Sequence, residues 1–307
     1  MSIRKIRPSL ECLEGRLTPA GDVTAVISSG DLLVTGDSAA NSIRVVQQAN
    51  NNIVLTGLNG TTINGQASVV LNARLIKAEF DLGAGNDSVE IRNLRVSNDL
   101  NIWAGDGNDT VLLTGAQVGG VLDVQGQLGA DRITGNSLSV RGDAIFDGDE
   151  GATTLALSNS TIDGAFTAIG KSASDALRLT TVTIGGDATL ETGLGDDVVA
   201  LSGVSIGLSL NITTDEGIDR VTLTDVSASE DVNIEAGKGN DVVSLTRLTA
   251  GKGLKVNVDD GDDRVVVRTA SAGTDAVFVG GAGFDTLDDA SLSGGLKLEV
   301  TEFERRI

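Results

Sequence analysis

The stretch WAGDGNDTVLL, Trp103 to Leu113, sets a loop rich in glycine and aspartate directly before an apolar, strand-like run. Three roles suit such a loop: a phosphate cradle, a carboxylate metal loop, or the turn of a repeat. A phosphate cradle needs a Lys-Ser/Thr pair after the glycines and a helix opening behind it. Neither GDGND (105–109) nor GAGND (83–87) is followed by either.

The loop returns at a fixed interval. Asp87, Asp109, Asp131, Asp175, Asp197, Asp219, Asp241, Asp263 and Asp285 lie on one 22-residue grid, which Thr153 alone interrupts. Two residues before each grid point stands a glycine, from Gly85 to Gly283, with Ala173 the exception. Repetition without insertion identifies a repeat protein.

The elements that must carry these loops follow from the apolar residues. Pairs such as Leu100/Ile102 and Leu210/Ile212 precede each grid point by nine and seven positions. Pairs such as Val111/Leu113 and Val199/Leu201 follow it by two and four, and a third set includes Leu94/Val96 and Val204/Ile206. Spacing of two is strand alternation. The chain therefore predicts an all-β fold: a parallel β-helix of 22-residue coils, three short strands per coil, each strand pairing with its counterpart one coil away. Parallel crossovers favour a right-handed path. At about 4.8 Å per coil, ten coils give a rod roughly 50 Å long.

A second corner has a slower rhythm. Asp99, Asp143, Asp187, Asp231 and Asp275 recur every 44 residues, with Val121, Ala165, Ser209 and Gly253 between them. Skipping a coil halves the repulsion of stacked acids, so this series reads as charge spacing. Arg141-Gly142-Asp143 spells RGD, but Asp143 belongs to that series and the tripeptide reads as coincidence.

Four segments are expected. Residues 1–21 read as a leader, basic and then amphipathic, holding both prolines (Pro8, Pro19) and the lone Cys12. Residues 22–76 leave the 22-residue register. Their alternating runs Val23–Ile27, Asp31–Thr35, Ser42–Val46 and Ile53–Thr56 predict an N-terminal β-hairpin cap. Residues 77–290 hold the repeats. Residues 291–307 close the rod, with Phe303 plugging the core and Glu302, Glu304, Arg305 and Arg306 discouraging further strand pairing.

Composition narrows the function. The net charge is -20, with 40 glycines, 2% aromatics and no histidine. Such a field repels nucleic acid and anionic lipid and attracts cations. No run of 18 apolar residues offers a membrane span. One cysteine excludes an internal disulfide.

The run GGAGFDTLD, Gly280 to Asp288, fits the nonapeptide GGxGxDxUx at every position, and over about residues 80–290 the chain resembles the RTX, or hemolysin-type, calcium-binding repeat proteins. The resemblance implies Ca²⁺ held between stacked loops, with Asp87, Asp109, Asp197, Asp219, Asp241, Asp263 and Asp285 as the carboxylate ligands. Two departures stand. There is one loop per 22 residues, where that family has two per 18-residue coil. The first glycine is replaced in most copies, by Leu82, Ala104, Thr192 and Ala236 among others. The central loops QLGAD (127–131), DEGAT (149–153) and KSASD (171–175) are expected not to bind. Turn chemistry alone accounts for the same residues, since Asn and Asp hydrogen-bond local backbone and stacked Asn86 and Asn108 suit an amide ladder.

RPSLECLEGRLTPA also resembles a short leader found ahead of large secreted and surface repeat proteins of some bacteria. The combined expectation is an extracellular or cell-surface structural protein that binds calcium and is adhesive, its partners calcium and extracellular matrix or surface polysaccharide. The chief rival is a β-helix lyase or hydrolase acting on acidic glycans, and a metal-independent scaffold is a third. Catalytic groups need one asymmetric cleft. Here the acid pairs Asp196/Asp197 and Asp262/Asp263 sit at repeat positions, so a non-enzyme is expected. A surface-binding threonine ladder is not legible in Thr181/Thr183 and Thr213/Thr214.

Overall fold

The computed structural model describes residues 21–289, 292–293 and 297–307. The leader, with Cys12, Pro8 and Pro19, lies outside them. Every regular element described is a β-strand, and no helix is long and apolar enough to cross a membrane. The chain is a parallel β-solenoid of about ten turns with 22-residue spacing.

The first full coil comprises β7 (Lys77–Asp81), β8 (Ser88–Arg92) and β9 (Arg95–Val96). Each pairs in parallel with its counterpart one coil on: Ala78 with Leu100, Val89 with Val111, and Val96 with Val118. From residue 154 the second and third strands fuse into nine-residue strands, such as Thr154–Ile162 and Val198–Ile206. A left-handed residue at the join explains how both arms face inward. Asn159, Thr181, Asp225 and Arg247 have φ near 50–55°. Within Thr154–Ile162 the buried positions run 155, 157, then 160 and 162, so the kink shifts the inward phase by one residue. Without it strict alternation would turn the third arm's apolar pair to solvent.

The interior is built from Val, Leu, Ile and Ala ladders, and four phenylalanines (Phe80, Phe146, Phe166 and Phe278) are fully buried. Phe146 pairs across strands with Ala168, and Phe166 with Ala144. Large thus stacks beside small along the ladder, and the two rings pack at 5.7 Å.

The N-terminal end is made of antiparallel hairpins. β1 (Asp22–Ser28) pairs with β2 (Asp31–Thr35), β3 (Ser42–Gln47) with β4 (Asn52–Gly57), and β4 with β6 (Ser68–Asn72), while β5 (Thr62–Ile63) lies beside β1. Two of these strands also continue the rod. β2 pairs in parallel with β7 and β3 with β8, at an offset of 46 residues. Residues 31–47 are therefore a further layer of the solenoid, with the excursion through β4–β6 inserted before the regular repeat begins. At the other end, Lys297–Thr301 and Arg305–Arg306 add the last parallel strands, and Phe303 packs partly buried against the core.

Candidate functional site: the stacked aspartate corner

The repeated loops stack into one corner along the rod, and the glycines explain how closely. Gly107 and Gly239 have φ of 144° and 145°. A β-carbon on Gly107 would overlap the carbonyl oxygen of Gly85, and one on Gly239 that of Gly217. The glycine two before each grid point is thus demanded by coil-to-coil backbone contact. Ala173, the exception, takes a left-handed φ of 69°.

Where the residue just before the grid point is polar, its side chain ties one loop to the next. Asn86 Oδ1 accepts the Asn108 N–H at 2.9 Å, and Asn108 Oδ1 accepts the Ala130 N–H at 2.8 Å. Asn240 and Asp262 serve Asp262 and Phe284 in the same way. The ladder expected of Asn86 and Asn108 therefore runs from amide oxygen to main-chain N–H.

The grid aspartates point inward. All nine are buried, each at most 3% exposed. The Oδ1 of each accepts the N–H of the grid residue one coil before it. Asp87 N–H donates to Asp109 at 2.6 Å, Asp197 N–H to Asp219 at 2.8 Å, and Asp263 N–H to Asp285 at 2.9 Å. Asn41 begins the series, donating to Asp87 at 2.7 Å, and Glu304 ends it, accepting from Asp285 at 2.6 Å. Thr153 offers no carboxylate, so Asp131 N–H turns to the carbonyl of Ala152 instead.

The second carboxylate oxygen, Oδ2, is buried without a hydrogen-bond partner in all nine. It packs toward the residue five before the grid point: a β-carbon on Gly126 or Gly170 would strike Oδ2 of Asp131 or Asp175. Elsewhere that position holds buried Leu82, Ala104, Thr192, Ala236 or Val258. Glycine is thus required at this position beside Asp131 and Asp175, where Oδ2 lies in the space of a β-carbon, and is replaced in the coils just named.

Burial dominates the electrostatics. Desolvation raises Asp109, Asp175, Asp219 and Asp263 to about 7, and Asp87 and Asp241 to about 6. It also raises Asp131, Asp197 and Asp285. In each, the main-chain N–H at Oδ1 opposes the rise. Neighbouring carboxylates add to it at Asp109 and Asp263.

These positions define what the corner offers a cation. The seven nominated aspartates are brought onto one line, together with Asp131 and Asp175 from the central loops. Each has one oxygen committed and the other enclosed, so as placed they do not form a cage of six to eight oxygens around Ca²⁺. Among the described residues no group of three acidic or cysteine side chains converges on a common point. The outward acids of the same loops are different residues: Asp196, Asp215, Asp259, Asp260 and Asp262 are exposed.

The 44-residue series caps backbone as well. Asp99 accepts the Val121 N–H at 2.9 Å, Asp143 that of Ala165 at 2.8 Å, Asp187 that of Ser209 at 2.9 Å, and Asp231 that of Gly253 at 2.8 Å. Asp143 of the RGD tripeptide is thereby engaged. Along the third arm runs a column absent from the sequence-based expectations: Ser139, Thr161, Thr183, Ser205, Ser227, Thr249 and Ser271 stand directly beside one another in register. Its signal in the sequence is the same 22-residue spacing, carried by hydroxyl residues.

Fold and corner together define the class: a parallel β-solenoid whose turns are held by internal carboxylate-to-amide ladders. No family model, curated protein or solved structure matches the chain.

Proposed function

We propose that this protein is a structural rod displayed outside the cell or on its surface, presenting its faces to matrix or polysaccharide. One observation carries this reading: the coil-to-coil hydrogen bonding from Asn41 to Glu304 uses the repeated acids for the rod itself, interrupted only at Thr153. A catalytic centre would set its acids apart from the repeat, whereas Asp197 and Asp263 are buried in the ladder and their neighbours Asp196 and Asp262 face solvent. The leader resemblance supports export. Fractionation of cells expressing the full chain tests this: the protein is expected in the envelope or the medium, and recovery of the whole pool from cytosol would refute it.

Calcium enters the reading through the outer edge of the loops between 193 and 263, where Asp196, Asp215, Asp259, Asp260 and Asp262 are exposed. A cation there relieves repulsion among exposed acids and binds the folded rod alone, so it stabilises by mass action. Melts in EDTA and in millimolar Ca²⁺ are expected to separate, the calcium curve higher. Superimposable curves leave the metal-independent scaffold.

A further inference from the structure

Where the hairpin cap meets the first coils, a cleft of about 420 Å³ opens on the third arm. Such a volume lies within the range of small-molecule sites, roughly 300–1,000 Å³. Arg74, Arg95 and Arg141 line it, and none of its lining residues among the described ones is acidic, in a protein of net charge -20. Several arginines outside the cleft are neutralised: Arg44 and Arg92 pair with Glu90, Arg247 with Asp225, and Arg306 with Asp289. The three in the cleft are exposed and make no ion pair among the described residues.

The cleft is preorganised. Its apolar floor is Leu75, Val96 and Val118, with Leu75 bridged to Val96. The buried Gln47, at the end of β3, accepts the Arg95 N–H at 2.7 Å and ties that strand to the layer before it. Arg95 belongs to the first coil and Arg141 to the third, so their strands lie two coil spacings apart, about 10 Å. The site is also asymmetric, lying where the cap breaks the repeat.

We propose that this cleft binds an anionic oligosaccharide, one bearing uronate or sulfate groups. Guanidinium forks match carboxylate and sulfate oxygens alike. Gln117 and Ser139, one and two coils beyond Arg95 in the same column, supply partners for sugar hydroxyls. That column continues out of the cleft as the exposed hydroxyls of Thr161, Thr183, Ser205, Ser227 and Thr249, an uncharged track along which further sugar units can lie. Nucleic acid is a poorer fit. No aromatic side chain lines the cleft for base stacking, and the field of the whole protein opposes a long phosphate backbone.

This site rests on the adhesive part of the proposed function and not on calcium or export, so its failure leaves the exported rod standing. The full chain is titrated calorimetrically with oligogalacturonate, a sulfated heparin-type oligosaccharide, a neutral maltooligosaccharide and single-stranded polynucleotide. Saturable binding is expected with either or both of the anionic saccharides and with neither of the others. Arg95→Gln with Arg141→Gln is expected to weaken it about tenfold or more. The melting temperature should stay unchanged, since both side chains are exposed. Arg178→Gln, an exposed arginine that does not line the cleft, is the control and is expected to leave affinity intact. Absence of binding to both anionic saccharides, an equal loss in the control, or equally tight polynucleotide binding would each overturn the proposal.

Discussion

Leu201→Asp is expected to abolish the folded central coils, while Asp197→Asn, four residues earlier in the same coil, leaves the rod intact. Leu201 is 1% exposed and stacks between Leu179 and Leu223 of the adjacent coils. A carboxylate there has no partner, and its burial costs several kcal/mol or more. Loss of the leucine's packing removes roughly another 2–5 kcal/mol. Together these approach the whole stability of an ordinary domain, about 5–15 kcal/mol. Because each coil touches only its neighbours, the damage should begin locally. Limited proteolysis should therefore cut first near residue 201, with the β signal in circular dichroism reduced. Asp197→Asn retains the oxygen that accepts the Asp175 N–H. A scaffold tolerates that exchange, whereas an enzyme relying on Asp197 would lose activity with its fold preserved. Wild-type melting and proteolysis of Leu201→Asp would show that the apolar ladder is not what holds the coils together.

The buried aspartates should make the rod more stable in mild acid than at alkaline pH. Their folded-state values lie above the ordinary 3.8, at about 7 for Asp109, Asp175, Asp219 and Asp263 and about 6 for Asp87 and Asp241. The folded chain thus holds protons that the unfolded chain has released. That contribution is fully present below pH 4 and is lost as pH rises through 6 to 7. Each unit of displacement corresponds to about 1.4 kcal/mol. Glu90 and Asp37, held low by Arg44 and by main-chain N–H groups respectively, act in the opposite sense only as pH falls below the ordinary carboxylate range. Denaturation midpoints in EDTA should accordingly be higher at pH 5 than at pH 8. Asp219→Asn keeps the acceptor without the charge and should narrow that gap. Asp219→Ala strands the Asp197 N–H and should cost about 1–3 kcal/mol at both pH values. A midpoint that climbs steadily from pH 5 to pH 8 would contradict this account of the corner.

The coil length, the three inward pairs and the glycine positions were all legible, because each is enforced in every coil by the same contact. The direction of the carboxylates was not. A metal loop and an internal hydrogen-bond acceptor both want aspartate after a tight glycine turn. What separates them is burial: the grid carboxylates turn inward beside core residues such as Leu82 and Thr192 five positions earlier, and only the fold reveals this. The same limit excluded Asp131 and Asp175, judged by their irregular loops although their own carboxylates join the ladder. Asn41 and Glu304 lie off the grid, so periodicity could not find them. Arg74, Arg95 and Arg141 share no coil position, and only the cap's placement over the first coils gathers them.

The corner acids from Asp99 to Asp275 make the chemical unit cell of this rod twice its geometric one. Excising residues 110–131 would leave every strand a matching neighbour, yet would set Asp143 immediately above Asp99, where Val121 stood with its N–H capped. Excising 44 residues restores the alternation. The solenoid is in effect a polymer whose monomer is a pair of coils, and its length can change without a fault only in steps of two.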